Sequence, residues 1–167
     1  MTPEIDLFVT MAEIAGVFVG FGALISVTRG DEIAADQLGH IQAVVTIGLV
    51  VLVAGLIPVG LDRYGVTGRS LWFISSLVFL ILSWAVNLLS LRREESRQLL
   101  LDQLRSRPLN AAFFWLLLEL PVQVPLFLAV FGARPALDAA FYLTALLFNL
   151  FQAAFVLAHL VYSTVRS

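Results

Sequence analysis

Three stretches of the chain contain no Asp, Glu, Lys or Arg: residues 37–61, 70–91 and 139–165. At ~1.5 Å rise per residue, each is long enough as a helix to cross a hydrocarbon core of about 30 Å. Two further apolar segments reach that length when one carboxylate is admitted to each. Residues 7–28 include Glu13, and residues 111–132 include Glu119. One acid at the centre of a span costs about 2.5–3.5 kcal/mol on insertion scales, which the surrounding apolar residues offset. The pattern predicts five transmembrane helices, over about 7–28, 39–61, 70–91, 111–132 and 138–164. They form one compact all-α bundle, a single domain across residues 1–167.

The connections are short except for residues 92–108, which hold Arg92, Arg93, Arg97, Arg105 and Arg107. Leu100, Leu101 and Leu104 fall on one helical face before Pro108 stops the pattern, so this segment reads as a short amphipathic helix extending the third span. It is either a solvated charged helix or a contact for anionic lipid headgroups.

Composition turns the periodicity into a statement about solvent. The 167 residues are 60% hydrophobic and 13% charged, against roughly 45–50% and about 25% in soluble domains. So little charge excludes a free-standing soluble enzyme. The net charge of −2 leaves no basic surface for a phosphate backbone, so nucleic acid is not an expected partner. Cysteine is absent, which removes disulfides, thiolate metal sites and cysteine nucleophiles. The acidic N-terminal residues Glu4 and Asp6 stand where a signal peptide carries basic ones, so the first apolar segment reads as a retained span.

Every basic residue is arginine, and their distribution suggests an orientation. With five spans, Arg29, Arg92, Arg93, Arg97, Arg105, Arg107 and Arg166 share one side, and Arg63, Arg69 and Arg134 the other. The positive-inside tendency then puts the N-terminus outside and the C-terminus in the cytoplasm, in a plasma (inner) membrane.

Inside lipid the polar residues carry the information, because each must meet protein or water within the bundle. In the last span Tyr142, Ala145, Asn149, Gln152, Val156, His159 and Ser163 alternate steps of three and four and so share one stripe. Ser76, Ser83, Asn87 and Ser90 do the same in the third. Each stripe is either a seam of interhelical hydrogen bonds or the wall of a water-lined path. In the first span Glu13, Gly16, Gly20 and Ala23 share a face with the GxxxG spacing, and Gly48 and Gly55 offer a smooth face on the second. Close packing of the first two helices and self-association through Gly16 and Gly20 are the two readings of that groove.

The most specific element is Trp115-Leu-Leu-Leu-Glu119-Leu-Pro121-Val-Gln123-Val-Pro125. Glu119 and Gln123 are one helical turn apart. Pro121 has no N–H for the carbonyl of Leu117, nor Pro125 for that of Pro121. Broken helices of this kind recur at ion and substrate sites in transporters, although a tolerated kink with a hydrogen-bonded acid has the same sequence. Counting back and forward from the turn near Pro135 brings Glu119 level with Asn149 and Gln152, and about two turns from His159. A carboxyl, amide and imidazole set of this kind suits proton relay or cation binding, with Glu13 as an outer attractor. His40 opens the second helix at the cytoplasmic interface, and Trp72, Tyr64 and Tyr162 read as interfacial anchors.

No HExxH, G-x-S-x-G, P-loop or dinucleotide fingerprint is present, and two histidines exclude a multi-histidine metal site within one subunit. The sequence calls for no cofactor, metal or catalytic residue; a Ser–His pair within the spans stays formally open. Two functional expectations follow. One is a homo-oligomeric channel or carrier subunit for protons or a small cation, built on Glu119. The other is a non-transporting accessory or scaffold subunit that docks a larger membrane protein.

Overall fold

A computed structural model of the chain describes residues 3–28, 35–92 and 108–164, with residues 3–4, 35–37, 90–91, 108–115, 160 and 163–164 described as helical backbone only. The elements are α1 (Pro3–Thr28), α2 (Ala35–Arg63), α3 (Gly68–Arg92), α4 (Pro108–Phe131) and α5 (Asp138–Thr164), with a 3-10 turn at Pro135–Leu137 leading into α5. There is no strand among the described residues. Ile5–Thr28, Leu38–Arg63, Gly68–Leu89 and Pro135–His159 are long and apolar enough to cross a bilayer, and Leu116–Phe131 is a shorter apolar stretch of α4. The fold is therefore the all-α set of five apolar helices that the hydrophobic runs predict. Of the basic connection, Arg92 ends α3 as an exposed residue. The amphipathic helix expected beyond it, with Arg93, Arg97, Arg105 and Arg107, lies outside the described residues.

Two helix ends are set by glycine. After α2, Gly65 adopts φ 78°, Gly65 N–H donates to Asp62 O at 2.9 Å and Val66 N–H to Leu61 O at 3.1 Å. After α4, Gly132 at φ 66° repeats the arrangement, with Gly132 N–H on Ala129 O and Ala133 N–H on Leu128 O. Both are Schellman closures, in which a left-handed residue lets the chain reverse while the last carbonyls stay hydrogen-bonded. Positive φ is nearly free only for glycine, which explains its presence at both turns.

The helices pack as two compact units, one formed by Met1–Leu71 with Leu146–Ser167 and the other by Trp72–Ala145. α5 thus contributes its first turns to the second unit and the remainder to the first.

In the first unit α1 and α2 lie antiparallel. Gly22 meets Val45, Gly48 meets Val19 and Ala15, and Gly55 meets Ala12 and Phe8, so one index falls as the other rises. The buried positions Ile5, Phe8, Ala12 and Ala15 of α1 and Ile41, Val44, Gly48, Val51, Gly55 and Pro58 of α2 alternate steps of three and four. That is the heptad seam of a left-handed helix pair. A Cβ on Gly55 would stand 3.1 Å from the Phe8 carbonyl oxygen and 3.2 Å from Ala12 Cβ, and one on Gly48 would stand 2.8 Å from Val19 Cγ2. The two backbones approach closely because no side chain intervenes. The groove read from Gly16 and Gly20 lies to one side of this seam: Gly16 has ordinary contact with Leu52, and a Cβ on Gly20 would meet nothing within 4 Å. Gly22 carries the contact instead, with Val45 Cγ2 2.6 Å from its Cβ position.

In the second unit Tyr142 is the centre of packing. Its ring lies 5.9 Å from that of Trp72 and 5.8 Å, edge-on, from that of Phe79, all three centred on one face of α3. Aromatic pairs at such separations add about 0.5–1.5 kcal/mol beyond area burial. α4 buries Val122, Leu126 and Ala129 along one stripe.

Gly55→Leu is expected to force the α1–α2 seam apart, at a cost of about 1–3 kcal/mol or more from overpacking. The thermal midpoint of the detergent-purified protein should fall by several degrees, whereas Gly20→Leu should leave it within error. Equal midpoints for the two variants would refute the seam as described.

Candidate functional site

The break expected at Pro121 and Pro125 is not found: α4 is one continuous helix through both prolines, because proline removes a donor without ending the helix here. Two consecutive turns therefore lack an N–H donor, and the carbonyls of Leu117 and Pro121 lose their usual helical partners. On the shoulder of the buried Val122–Leu126 stripe, Gln123 Nε2 donates to Glu119 Oε2 at 3.2 Å, and both side chains are half-buried. The bond holds the amide with its nitrogen toward the acid and its oxygen away. That oxygen, Gln123 Oε1, is buried and has no hydrogen-bond partner among the described residues. A carboxylate, an unused amide oxygen and two proline-released carbonyls thus occur within about two turns of one helix. They form an oxygen-rich set suited to a proton carrier or a hard cation.

Glu13, Asn149, Gln152 and His159 belong to the first unit, whereas Glu119 and Gln123 belong to the second. Asn149 and Gln152 are 6% and 8% exposed on α5. Glu13 is exposed on the outer surface of α1, in the same exposed arc as Thr10 and Asp6. His159 is exposed near the end of α5, and its ring stacks on that of His40 with centroids 5.4 Å apart and planes 14° from parallel. The two histidines of the chain are therefore neighbours, although one lies near the start of α2 and the other near the end of α5. No group of three or more His, Cys, Asp or Glu suited to a metal occurs among the described residues.

Two residues that the sequence reading passed over are prominent in the second unit. Asp138, the first residue of α5, is fully buried, as is Ser75 on α3 beside the predicted stripe residue Ser76. The signal for Asp138 was present in the spacing, because 138, 142, 145, 149 and 152 extend the polar stripe of α5 by one further turn. Trp72 is half-buried against Tyr142, while Tyr64 and Tyr162 stand exposed near helix ends.

Fold and site together define a class: a small, all-α, multi-spanning membrane protein with carboxylates inside its apolar helices. No protein-family model, curated protein or solved structure matches the chain.

Since the chain has two histidines, imidazole NMR of the purified protein should show two ring systems. His159→Ala should move the His40 resonances through loss of the stacked ring current, and Tyr64→Ala, at the other end of α2, should not. Unmoved His40 signals in His159→Ala would show that the rings do not stack.

Proposed function

We propose that the protein is a channel or carrier subunit for protons or a small cation, with Glu119 as the exchanging group. The observation that carries this reading is the Glu119–Gln123 pair on α4, a continuous helix that contains Pro121 and Pro125. Gln123 orients the carboxyl through its amide nitrogen, and its buried Oε1 remains available to a passing proton donor or cation. The carbonyls of Leu117 and Pro121 add acceptors that a proline-free helix would have consumed. An intramembrane carboxylate with such neighbours is by default a functional candidate.

Self-association is part of the proposal, and the exposure of Glu13 favours it. A carboxylate on the outer surface of a spanning helix is disfavoured against lipid, and a neighbouring subunit or a snorkelled path to the interface relieves that penalty. The same observation supports the second reading, an accessory subunit whose α1 docks a larger membrane protein. The proposed setting is a plasma (inner) membrane, with the N-terminus outside, the C-terminus in the cytoplasm, and Arg92 with the basic segment beyond it meeting anionic headgroups.

In proteoliposomes, wild-type protein is expected to pass protons or a small cation, and Glu119→Gln should lower that flux at least tenfold without changing the thermal midpoint by more than a few degrees. Equal flux in the variant would remove Glu119 from its role. Absence of flux in wild type, together with a stoichiometric copurifying protein, would favour the accessory reading. Because the chain has no cysteine, Thr67→Cys and Ser167→Cys report orientation directly. An impermeant maleimide added to intact cells should label the first and spare the second.

A further inference from the structure

We infer that the ion exchanged at Glu119 is the proton and not a metal cation, with the Gln123 amide serving both protonation states of the acid, an inference that rests on the transport reading of α4. A hard cation entering a span trades its water for about six or more oxygens that converge on one point. The oxygens of α4 do not converge. At about 100° per residue, Leu117 and Pro121 each lie about 200° around the helix from Glu119, and each carbonyl stays close to the azimuth of its own Cα. The two proline-released carbonyls therefore open on the face opposite the acid. Gln123, about 40° around from Glu119 by the same geometry, shares its face. It is the one described residue hydrogen-bonded to Glu119, and it presents a donor, with Nε2 on Glu119 Oε2 at 3.2 Å and Oε1 turned away. A metal cation at the carboxylate would meet an N–H where it needs an oxygen.

A proton suits the same pair in both of its states. As a carboxylate, Glu119 accepts the Gln123 N–H, which is the bond observed. As a carboxylic acid it carries an O–H that needs an acceptor. Gln123 Oε1, buried and without a hydrogen-bond partner among the described residues, becomes that acceptor when the amide turns end for end. The terminal amide torsion is broad and roughly two-fold, so the turn leaves the rest of the side chain in place. Uptake forms one O–H bond on the carboxylate and leaves water behind from hydronium; release returns the proton to water, and the site ends the cycle unchanged. Glu119 is the only charged residue of α4. The other charged or ionisable side chains described in its unit, Arg92, Arg134, Asp138 and Tyr142, stand at the end of α3, after α4 or in the first turns of α5. With its proton the pair is neutral, the form that an apolar interior accepts at least cost.

The test uses proteoliposomes of the purified full chain loaded with a pH-sensitive dye and, in parallel, uptake of radiolabelled Na+ and Rb+. Wild type should collapse a pH step faster than protein-free vesicles do and take up neither metal ion above that background. Glu119→Gln should bring the proton flux down to background. Gln123→Met, which keeps the length of the side chain and removes the amide, should lower the flux about tenfold and displace its pH profile. The comparison among ions needs no variant, so it decides the matter even if either variant fails to fold. Sodium or rubidium uptake above background overturns the proton assignment; where that uptake is lost in Glu119→Gln, the transport reading stands. Background flux of all three ions from a folded protein overturns both. Proton flux that persists in Glu119→Gln, or a Gln123→Met flux with the wild-type rate and pH profile, also overturns the inference.

Discussion

Backbone N–H and C=O groups in hydrocarbon have no water to satisfy them, and this constraint shapes every element of the chain. It makes each apolar run a helix, because only a helix pairs these groups within one segment. The same constraint acts at the turns. Gly65 and Gly132 close α2 and α4 with backbone hydrogen bonds that use the last carbonyls before the chain reverses. It also gives the prolines of α4 their meaning. Pro121 and Pro125 withdraw two donors where replacements are scarce, and the Glu119–Gln123 hydrogen bond lies within a turn of them.

With backbone groups paired internally, association between helices depends on shape, since lipid and leucine are equally apolar. The α1–α2 seam shows how the sequence meets that demand. Small residues at Ala12, Ala15, Gly22, Gly48 and Gly55 allow two helices to touch along a heptad line. The five helices were readable from charge-free runs because span length is fixed by the bilayer and needs no tertiary information. The face used for packing was harder to read. Gly16 and Gly20 have the more recognisable spacing, yet the seam runs through Ala12, Ala15 and Gly22, about one residue's rotation away. A spacing motif records only the outline of one helix, and contact also requires a partner with complementary relief in the opposite register. Gly48 and Gly55 on α2 have that relief opposite Ala12, Ala15 and Val19, whereas Gly20 faces open space.

Polar residues divide in the same way. The α5 stripe from Tyr142 to Gln152 was visible because alternation of three and four is a one-helix property, and its members are buried. The neighbours of that stripe required the fold. Trp72 read as an interfacial anchor from its position near a span end, but it packs on Tyr142. His40 and His159 are separated by most of the chain, and their stacking follows from which helix ends meet.

The carboxylates of Glu13, Glu119 and Asp138 have three different environments, and the contrast bears on what each can do. Glu13 is exposed, Glu119 is half-buried with an amide donor at 3.2 Å, and Asp138 is fully buried at a helix start. An exposed acid on a spanning helix needs a covering surface, so its natural role lies in assembly or at the interface. A half-buried acid with one neutral donor keeps lone pairs open on the side away from that donor and can exchange what it holds. A fully buried acid is closed to exchange with the surroundings by the packing around it. That order of exposure makes Glu119, rather than Glu13 or Asp138, the acid that fits the proposed exchange role. Burial thus distinguishes acids whose side-chain chemistry is the same.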